Sequence, residues 1–328
     1  MKALVCHQYG PAGQLTVEHR EDPQPGKGQV LVEVHAAALN FPDTLQIQGK
    51  YQFQPPLPFI PGSEVAGTVL AVGDGVQQFQ PGERVMAFPG IGGMAGKVVA
   101  PASAVRSIPD NMDFRTAAGF AMVYTTSYYA LKQRAQLKAG ETLLVLGASG
   151  GVGMAAVELG KMLGARVIAA AGSEEKLQFV KQFDPDELVN YGDGELKEKV
   201  KALTDEKGAD VIFDPVGGAL FDQATRCINW NGRLLVVGFT SGQIPAYKAN
   251  LALLKGASMV GVFLGRFRRE EPQEYERNFA ELLHFYHEGI LKPIVTRHFP
   301  LEDYVAAFDV FTERRVMGKV VLDVRTQS

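Results

Sequence analysis

The stretch Leu143-Leu144-Val145-Leu146-Gly147-Ala148-Ser149-Gly150-Gly151-Val152-Gly153 decides the fold of this chain. Its opening run is apolar and suits a buried strand. A turn follows, and Met154-Ala155-Ala156-Val157-Glu158-Leu159-Gly160-Lys161-Met162-Leu163 then has helical length and composition, with Gly164 where a C-cap stands. Positions 148–153 carry the pattern G-x-G-x-x-G with Ala148 in the first place. In a strand–turn–helix setting Gly150 lets a backbone approach a pyrophosphate, and Gly153 lets helix and strand pack closely. Gly151 and Val152 complete a helix N-terminus that offers free N–H groups to an anion. The pattern alone is weak; its context makes it a dinucleotide site rather than a purely structural turn.

Outward from this turn, candidate strands fall at Thr142–Leu146, Arg166–Ala171, Leu188–Asn190, Asp210–Asp214, Arg233–Val237 and Ser258–Val262. Helical patterns separate most of them. Parallel neighbours need crossovers, and crossover helices cover both faces, so the pattern predicts a doubly wound parallel sheet. Residues up to about 120 are instead rich in Gly and Pro around short strands at Val30–Val34, Val65–Val72 and Arg84–Ala87, which predicts a β-barrel-like domain. Beyond residue 264 come a charged run with Arg266, Arg268 and Arg269, a helix over Glu274–His287, and a terminal strand in Val316-Met317-Gly318-Lys319-Val320-Val321-Leu322. That strand is expected to return to the first domain's sheet. The predicted division is therefore 1–123 with 265–328, and an inserted nucleotide domain at 124–264.

Composition narrows the function. The 328 residues are 46% hydrophobic and 21% charged, ordinary values for a globular protein. A net charge of -3 gives no footprint for nucleic acid or an anionic membrane surface. Two cysteines, Cys6 and Cys227, fit a reducing compartment and exclude a Cys₄ zinc site. No apolar run reaches the ~18 residues of a membrane span, and the opening residues lack a signal peptide's apolar core, so a cytoplasmic location is expected. The 36 glycines are about 11% of the chain, against a usual ~7%.

The second strand bears on cofactor choice. An NAD site places Asp or Glu about 20 residues beyond the glycine turn to hold the ribose hydroxyls. Here that place holds Gly172-Ser173. A carboxylate would repel a 2′-phosphate, whereas Ser173 accepts one and Lys176, a turn on, neutralises it, which favours NADPH. Glu174 and Glu175 fall in the first helical turn, where acids are common for helix-dipole reasons. Ser173 also fits a plain N-cap.

At this point the chain resembles the zinc-independent quinone oxidoreductases of the medium-chain dehydrogenase/reductase superfamily. The resemblance is carried by Asn40-Phe41-Pro42-Asp43, Gln48-Gly49-Lys50-Tyr51, Pro61-Gly62-Ser63-Glu64-Val65-Ala66-Gly67, the turn at 147–153, Gly172-Ser173-Glu174-Glu175-Lys176, Asp214-Pro215-Val216-Gly217-Gly218 and Gly318-Lys319-Val320-Val321-Leu322. It implies an α/β chain in which a Rossmann doubly wound parallel sheet is inserted in a GroES-like β-barrel substrate domain. It also implies Thr126 near the nicotinamide amide and Val152 with its glycine neighbours at the pyrophosphate. Ser173, Lys176, Tyr191 and Arg314 would meet the 2′-phosphate, with Arg315 as the neighbouring alternative and Tyr191 equally readable as an exposed aromatic. Val216 and Gly217 would line the adenosine-ribose side, and Gly238 and Phe239 the nicotinamide side; Asp214-Pro215 reads also as a turn closing the fourth strand. In zinc-dependent relatives a Cys and a His–Glu pair hold the metal. Asn40 and Ser63-Glu64 stand there instead, and Glu64 alone cannot hold Zn²⁺, so no metal is expected.

Without a metal to polarise an oxygen, the acceptor must already be activated, as a quinone or an alkene conjugated to a carbonyl is. Tyr51 is then the best candidate acid or donor, Asn40 can donate its amide N–H to a substrate oxygen, and Asp43 can orient one of them. The bland alternatives are loop packing for Tyr51 and a turn-forming Asn at 40. Three functions remain: an NADPH-dependent quinone reductase, an enoyl-thioester or enone reductase in which Tyr51 protonates carbon, and a non-enzymatic NADPH-binding protein. The resemblance also implies a homodimer paired through an edge strand, for which Ala257–Leu264 is a candidate.

Overall fold

A computed structural model of the chain describes residues 1–325. Its strands are β1 (Lys2–Val5), β2 (Thr16–His19), β3 (Gln29–Leu39), β4 (Val65–Val72), β5 (Arg84–Ala87), β6 (Lys97–Pro101), β7 (Val105–Ser107), β8 (Thr142–Val145), β9 (Arg166–Ala171), β10 (Glu187–Asn190), β11 (Ala209–Asp214), β12 (Ile228–Val236), β13 (Ser258–Gly261), β14 (Val295–Pro300) and β15 (Lys319–Asp323). Its α-helices are α1 (Phe41–Gln46), α2 (Phe114–Tyr129), α3 (Gly151–Met162), α4 (Glu174–Val180), α5 (Leu196–Leu203), α6 (Gly218–Arg226), α7 (Ala249–Lys255), α8 (Leu264–Glu270), α9 (Pro272–His287) and α10 (Tyr304–Thr312). The residues fall into two compact units, Met1–Met122 with the chain from Pro293, and Val123–Lys292.

In the first unit one sheet runs β14-β15-β3-β4-β5-β7, with β6 also paired to β3. The strand path ends at β14 and β7, so the sheet curls without closing, where the sequence suggested a barrel. Bulges in the β3–β4 pairing, at Leu31/Val32 and Val34/Ala36, bend it. Strand β3 is longer than the expected Val30–Val34. Its alanines at 36–38 have little strand preference, and pairing with β15 in the register Leu39↔Val320 to Ala36↔Asp323 holds them extended. Val30, Val32, Val69, Val85, Phe308 and Leu322 share this unit's core.

The second unit holds a parallel sheet in the order β10-β9-β8-β11-β12-β13. Its strands overlap the expected apolar runs, because a sheet covered on both faces makes them continuously hydrophobic, but β12 begins at Ile228, five residues before the expected Arg233. Leu144, Ile168, Ile212, Phe221 and Leu234 are buried together. Helix α3 starts at Gly151, three residues before the apolar helical pattern begins.

Residues 265–292 lie in this second unit, whereas the sequence reading gives them to the first. The cause is a polar dock on α9. Asn278, buried, exchanges hydrogen bonds with Gln133 (2.9 and 3.1 Å) and accepts one from Lys132 (3.3 Å). Tyr128 donates to Glu281 at 2.7 Å, and Tyr129 stacks on Phe267 of α8 with ring centroids 4.0 Å apart. None of these pairings follows a sequence period, so periodicity carries no sign of them. Among the described residues no helix is long and apolar enough to cross a membrane.

Candidate active site

In the second unit the glycine turn separates into two kinds of glycine. Gly150 caps α3 at φ -77°, ψ 168°, a conformation open to any residue, and a Cβ added there would meet only the Gly147 carbonyl oxygen at 3.5 Å. Nothing in the chain itself demands glycine at 150. The space it leaves suits an anion facing the free N–H groups of the helix. Gly153 differs: an added Cβ would lie 2.2 Å from the Gly147 oxygen and 2.8 Å from the Ala148 Cα, so packing requires it. The Ser127 hydroxyl donates to the Val152 carbonyl at 2.8 Å and ties α2, which carries the half-buried Thr126, to the first turn of α3.

The turns after β8, β11 and β12 meet at one end of this sheet. Gly147, at φ +58°, lies so close to Val216 that an added Cβ would sit 3.0 Å from its Cγ2. Gly217, at φ +67°, packs on Phe239 in the same way, at 2.9 Å. The buried Asp214 carboxylate accepts N–H bonds from Val216 (2.7 Å) and Gly217 (2.9 Å) and so shapes this turn; burial pushes its carboxyl up, and those two bonds oppose the shift. Thr240 N–H donates to Pro215 at 3.0 Å, which brings the loop after Gly238 and Phe239 to the same place. Strands β8 and β11 are neighbours although β9 and β10 intervene in sequence, so this is the switch point of a doubly wound sheet.

Ser173 caps α4, its hydroxyl accepting the Lys176 N–H at 3.4 Å. A Cβ on Gly172 would lie 3.1 Å from the Tyr191 ring, and Tyr191 N–H donates to Ala171 at 3.0 Å. Ser173, Lys176 and Tyr191 are thus gathered at the C-terminal ends of β9 and β10. Arg314 belongs to the first unit, exposed and at φ +56° just after α10, while Arg315 pairs with Glu313.

The first unit carries a buried cluster. Asn40 opens α1, and Asp43 accepts its N–H at 2.7 Å, one half of a capping box. The Asn40 amide donates to Glu64 Oε2 at 3.1 Å, and its oxygen accepts from Lys319 Nζ at 2.7 Å. Lys319 also reaches the Leu39 carbonyl (3.3 Å) and Glu64 Oε2 (3.4 Å), and the Met122 N–H donates to Glu64 Oε1 at 2.7 Å. Lys319 and Glu64 keep only 3% and 1% of their surface, which two charges tolerate only when paired and hydrogen-bonded. Helix α2 makes room for the lysine stem with Gly119, where a Cβ would sit 3.3 Å from Lys319 Cβ and Cγ. Burial pushes Asp43 up to about 7, with the Glu64 charge adding to the shift and the Asn40 N–H, Lys319 and a Ser63 hydroxyl opposing it. Burial, and then the Asp43 charge, raise the Tyr51 hydroxyl above its ordinary value.

Tyr51, Asn40 and Asp43 therefore share one neighbourhood. Sequence reasoning missed Lys319, the pairing role of Glu64, Asp214 as turn former and Ser127. One signal for Lys319 was present: a lysine directly before the three apolar residues Val320-Val321-Leu322 of its strand.

A doubly wound sheet with an open glycine turn at its switch point, carried in a chain whose other unit is a bulged antiparallel-rich sheet, defines a medium-chain dehydrogenase/reductase. Family models agree: residues 26–110 match the alcohol dehydrogenase GroES-like domain, and residues 151–283 match the zinc-binding dehydrogenase domain. A quinone oxidoreductase-like protein 2 homolog of Nematostella vectensis is 39% identical over 99% of this chain and 89% of its own length. Human quinone oxidoreductase is 34% identical, covering 98% and 97%. The crystal structure of Escherichia coli quinone oxidoreductase complexed with NADPH superposes with a TM-score of 0.92 at 26% identity, covering 98% and 100%. The chain belongs to the quinone oxidoreductase family of the medium-chain dehydrogenases/reductases.

Proposed function

We propose that this protein is an NADPH-dependent quinone oxidoreductase that works without a metal ion. The observation that carries the nucleotide part is Gly150, a glycine that no contact in the chain explains and that leaves a helix N-terminus open to a pyrophosphate. Bound there, NADPH would supply a hydride to the acceptor. Gly151, Val152 and Gly153 would face the pyrophosphate. Val216 and Gly217 would line the ribose, Gly238, Phe239 and Thr126 the nicotinamide, and Ser173, Lys176 and Tyr191 would hold the 2′-phosphate. The relatives named for quinone reduction, and one solved with NADPH, support the same reading.

In the substrate unit the Lys319 ammonium already supplies the positive charge beside Glu64, so Asn40, Ser63 and Glu64 do not suit a divalent cation. Catalysis then falls to hydrogen-bond donors. Asn40 would donate from its amide to the substrate oxygen on which charge develops, Tyr51 would deliver a proton, and Asp43 would keep Tyr51 protonated until the substrate needs it. A phenol held in its acid form also suits protonation of carbon, so an enone or enoyl-thioester acceptor is the second reading.

NADPH consumption by the purified protein, measured against quinones, enones and enoyl-CoA esters, tests both readings. Quinones should be reduced fastest, and NADPH should be oxidised far faster than NADH. Equal rates with the two nucleotides would remove the 2′-phosphate assignment, and no turnover with any acceptor would leave a nucleotide-binding protein.

A further inference from the structure

The buried ammonium of Lys319 has no role in the chemical step as proposed, yet it donates to the Asn40 side chain, 2.7 Å from its Oδ1. An ammonium can only donate and a carboxylate can only accept. The two ends of the Asn40 amide are therefore assigned by charge: oxygen toward Lys319, nitrogen toward Glu64 Oε2 at 3.1 Å. The amide nitrogen carries two hydrogens and Glu64 takes one, leaving the other to donate. An amide whose oxygen accepts from a cation is polarised, and its N–H groups become stronger donors. A neutral side chain at 319 would remove the polarisation and leave the Glu64 contact alone to hold the amide's orientation.

We propose that Lys319 is a positioning residue of the active site, locking the Asn40 amide in its donor orientation and strengthening the N–H that stabilises charge on the substrate oxygen. Glu64 holds the lysine in place through the 3.4 Å ion pair, itself fixed by the Met122 N–H at 2.7 Å. Gly119 leaves the lysine stem its path. The inference rests on the reading of Asn40 as donor.

Two measurements on Lys319→Met test it. With ¹⁵N-labelled side-chain amides, and the Asn40 signal identified from its absence in Asn40→Asp, the wild-type Asn40 amide protons should exchange slowly with solvent and those of Lys319→Met at least tenfold faster. In kinetics, kcat should fall about 10- to 100-fold, less than the roughly 100- to 1,000-fold that follows outright removal of an oxyanion donor, because the donor is weakened and not removed. The KM for NADPH should stay within about twofold, as expected when ground-state binding is untouched. Across a series of quinones, log kcat should depend more steeply on electron demand in the variant, because the acceptor must then stabilise its own charge. A variant damaged only in folding would lower every rate alike and leave that slope unchanged, which overturns the proposal. If Lys319→Met does not fold, Gly119→Ala carries the test, since its methyl displaces the lysine stem by a few tenths of an ångström; the same steepening is expected and an unchanged slope overturns. Should Asn40→Ala itself retain full kcat, the donor reading fails, whereas a defective Asn40→Ala beside a normal Lys319→Met sinks the positioning role alone.

Discussion

Two glycines three residues apart show how differently one residue type is used. Gly150 leaves space that nothing in the chain fills, and Gly153 removes a clash. Gly150→Ala should therefore weaken NADPH binding about tenfold or more, ~1.4 kcal/mol, with the thermal midpoint unchanged. Gly153→Ala should lower the midpoint by an overpacking cost of about 1–3 kcal/mol. Nucleotide titration and thermal denaturation on both variants separate the two. At Asp43 the sign of the pH dependence is fixed by its folded value of about 7, above the ~3.9 of an unfolded aspartate. Between those values the folded state binds more protons than the unfolded one, so this group's contribution declines as pH rises through the window and is lost above about 7. Relative to Asp43→Asn, the wild-type protein should lose thermal stability between pH 5 and pH 8; a difference that does not change with pH would show an ionised Asp43.

At the scale of elements, what could be read from sequence follows from periodicity and turn chemistry. Strands β4, β5 and β9 fall at the expected residues because each is an unbroken or alternating apolar run bounded by turn residues. The glycine turn was legible for the same reason: strand, turn and helix signals agree over eleven residues of one stretch. What failed has a single physical cause, contact between residues distant in sequence. Helix α9 lies with the second unit and not, as the sequence suggests, with the first, because Asn278 pairs with Gln133 and Glu281 with Tyr128 through hydrogen bonds that leave no local pattern. Strand β3 runs past the expected Val34 because Ala36–Leu39 are held extended by pairing with β15 and, at Ala36 and Ala37, with β4, contacts that leave no local signal. In the candidate site Asn40, Asp43 and Tyr51 could be singled out, but Lys319 lies some 280 residues from Asn40 in sequence, and only the fold places its ammonium on the amide oxygen.

For the whole molecule, the exposed edge of the nucleotide sheet invites a partner. Strand β13 ends the strand order, and Met259 and Phe263 on or beside it are 49% and 55% exposed, with Leu253, Leu254 and Trp230 also open to solvent. An apolar edge with free backbone groups pairs readily. We propose a homodimer through β13: sedimentation should give twice the chain mass for the wild-type protein, and Met259→Lys combined with Phe263→Lys should give the single-chain mass. Persistence of the dimer in that variant would place the interface elsewhere. The division of the chain also sets an order of events during synthesis. Glu64 is made early and is buried in the finished protein, while the cation that neutralises it arrives on β15, after the entire nucleotide unit has been translated. Until then Glu64 lacks its charge partner, and the inner half of β3 is paired on one side alone, with β4. A ribosome-bound chain halted before Lys319 should therefore present a folded nucleotide unit and an unfinished first unit, its Asn40 amide still without the ammonium that its oxygen accepts from in the folded protein.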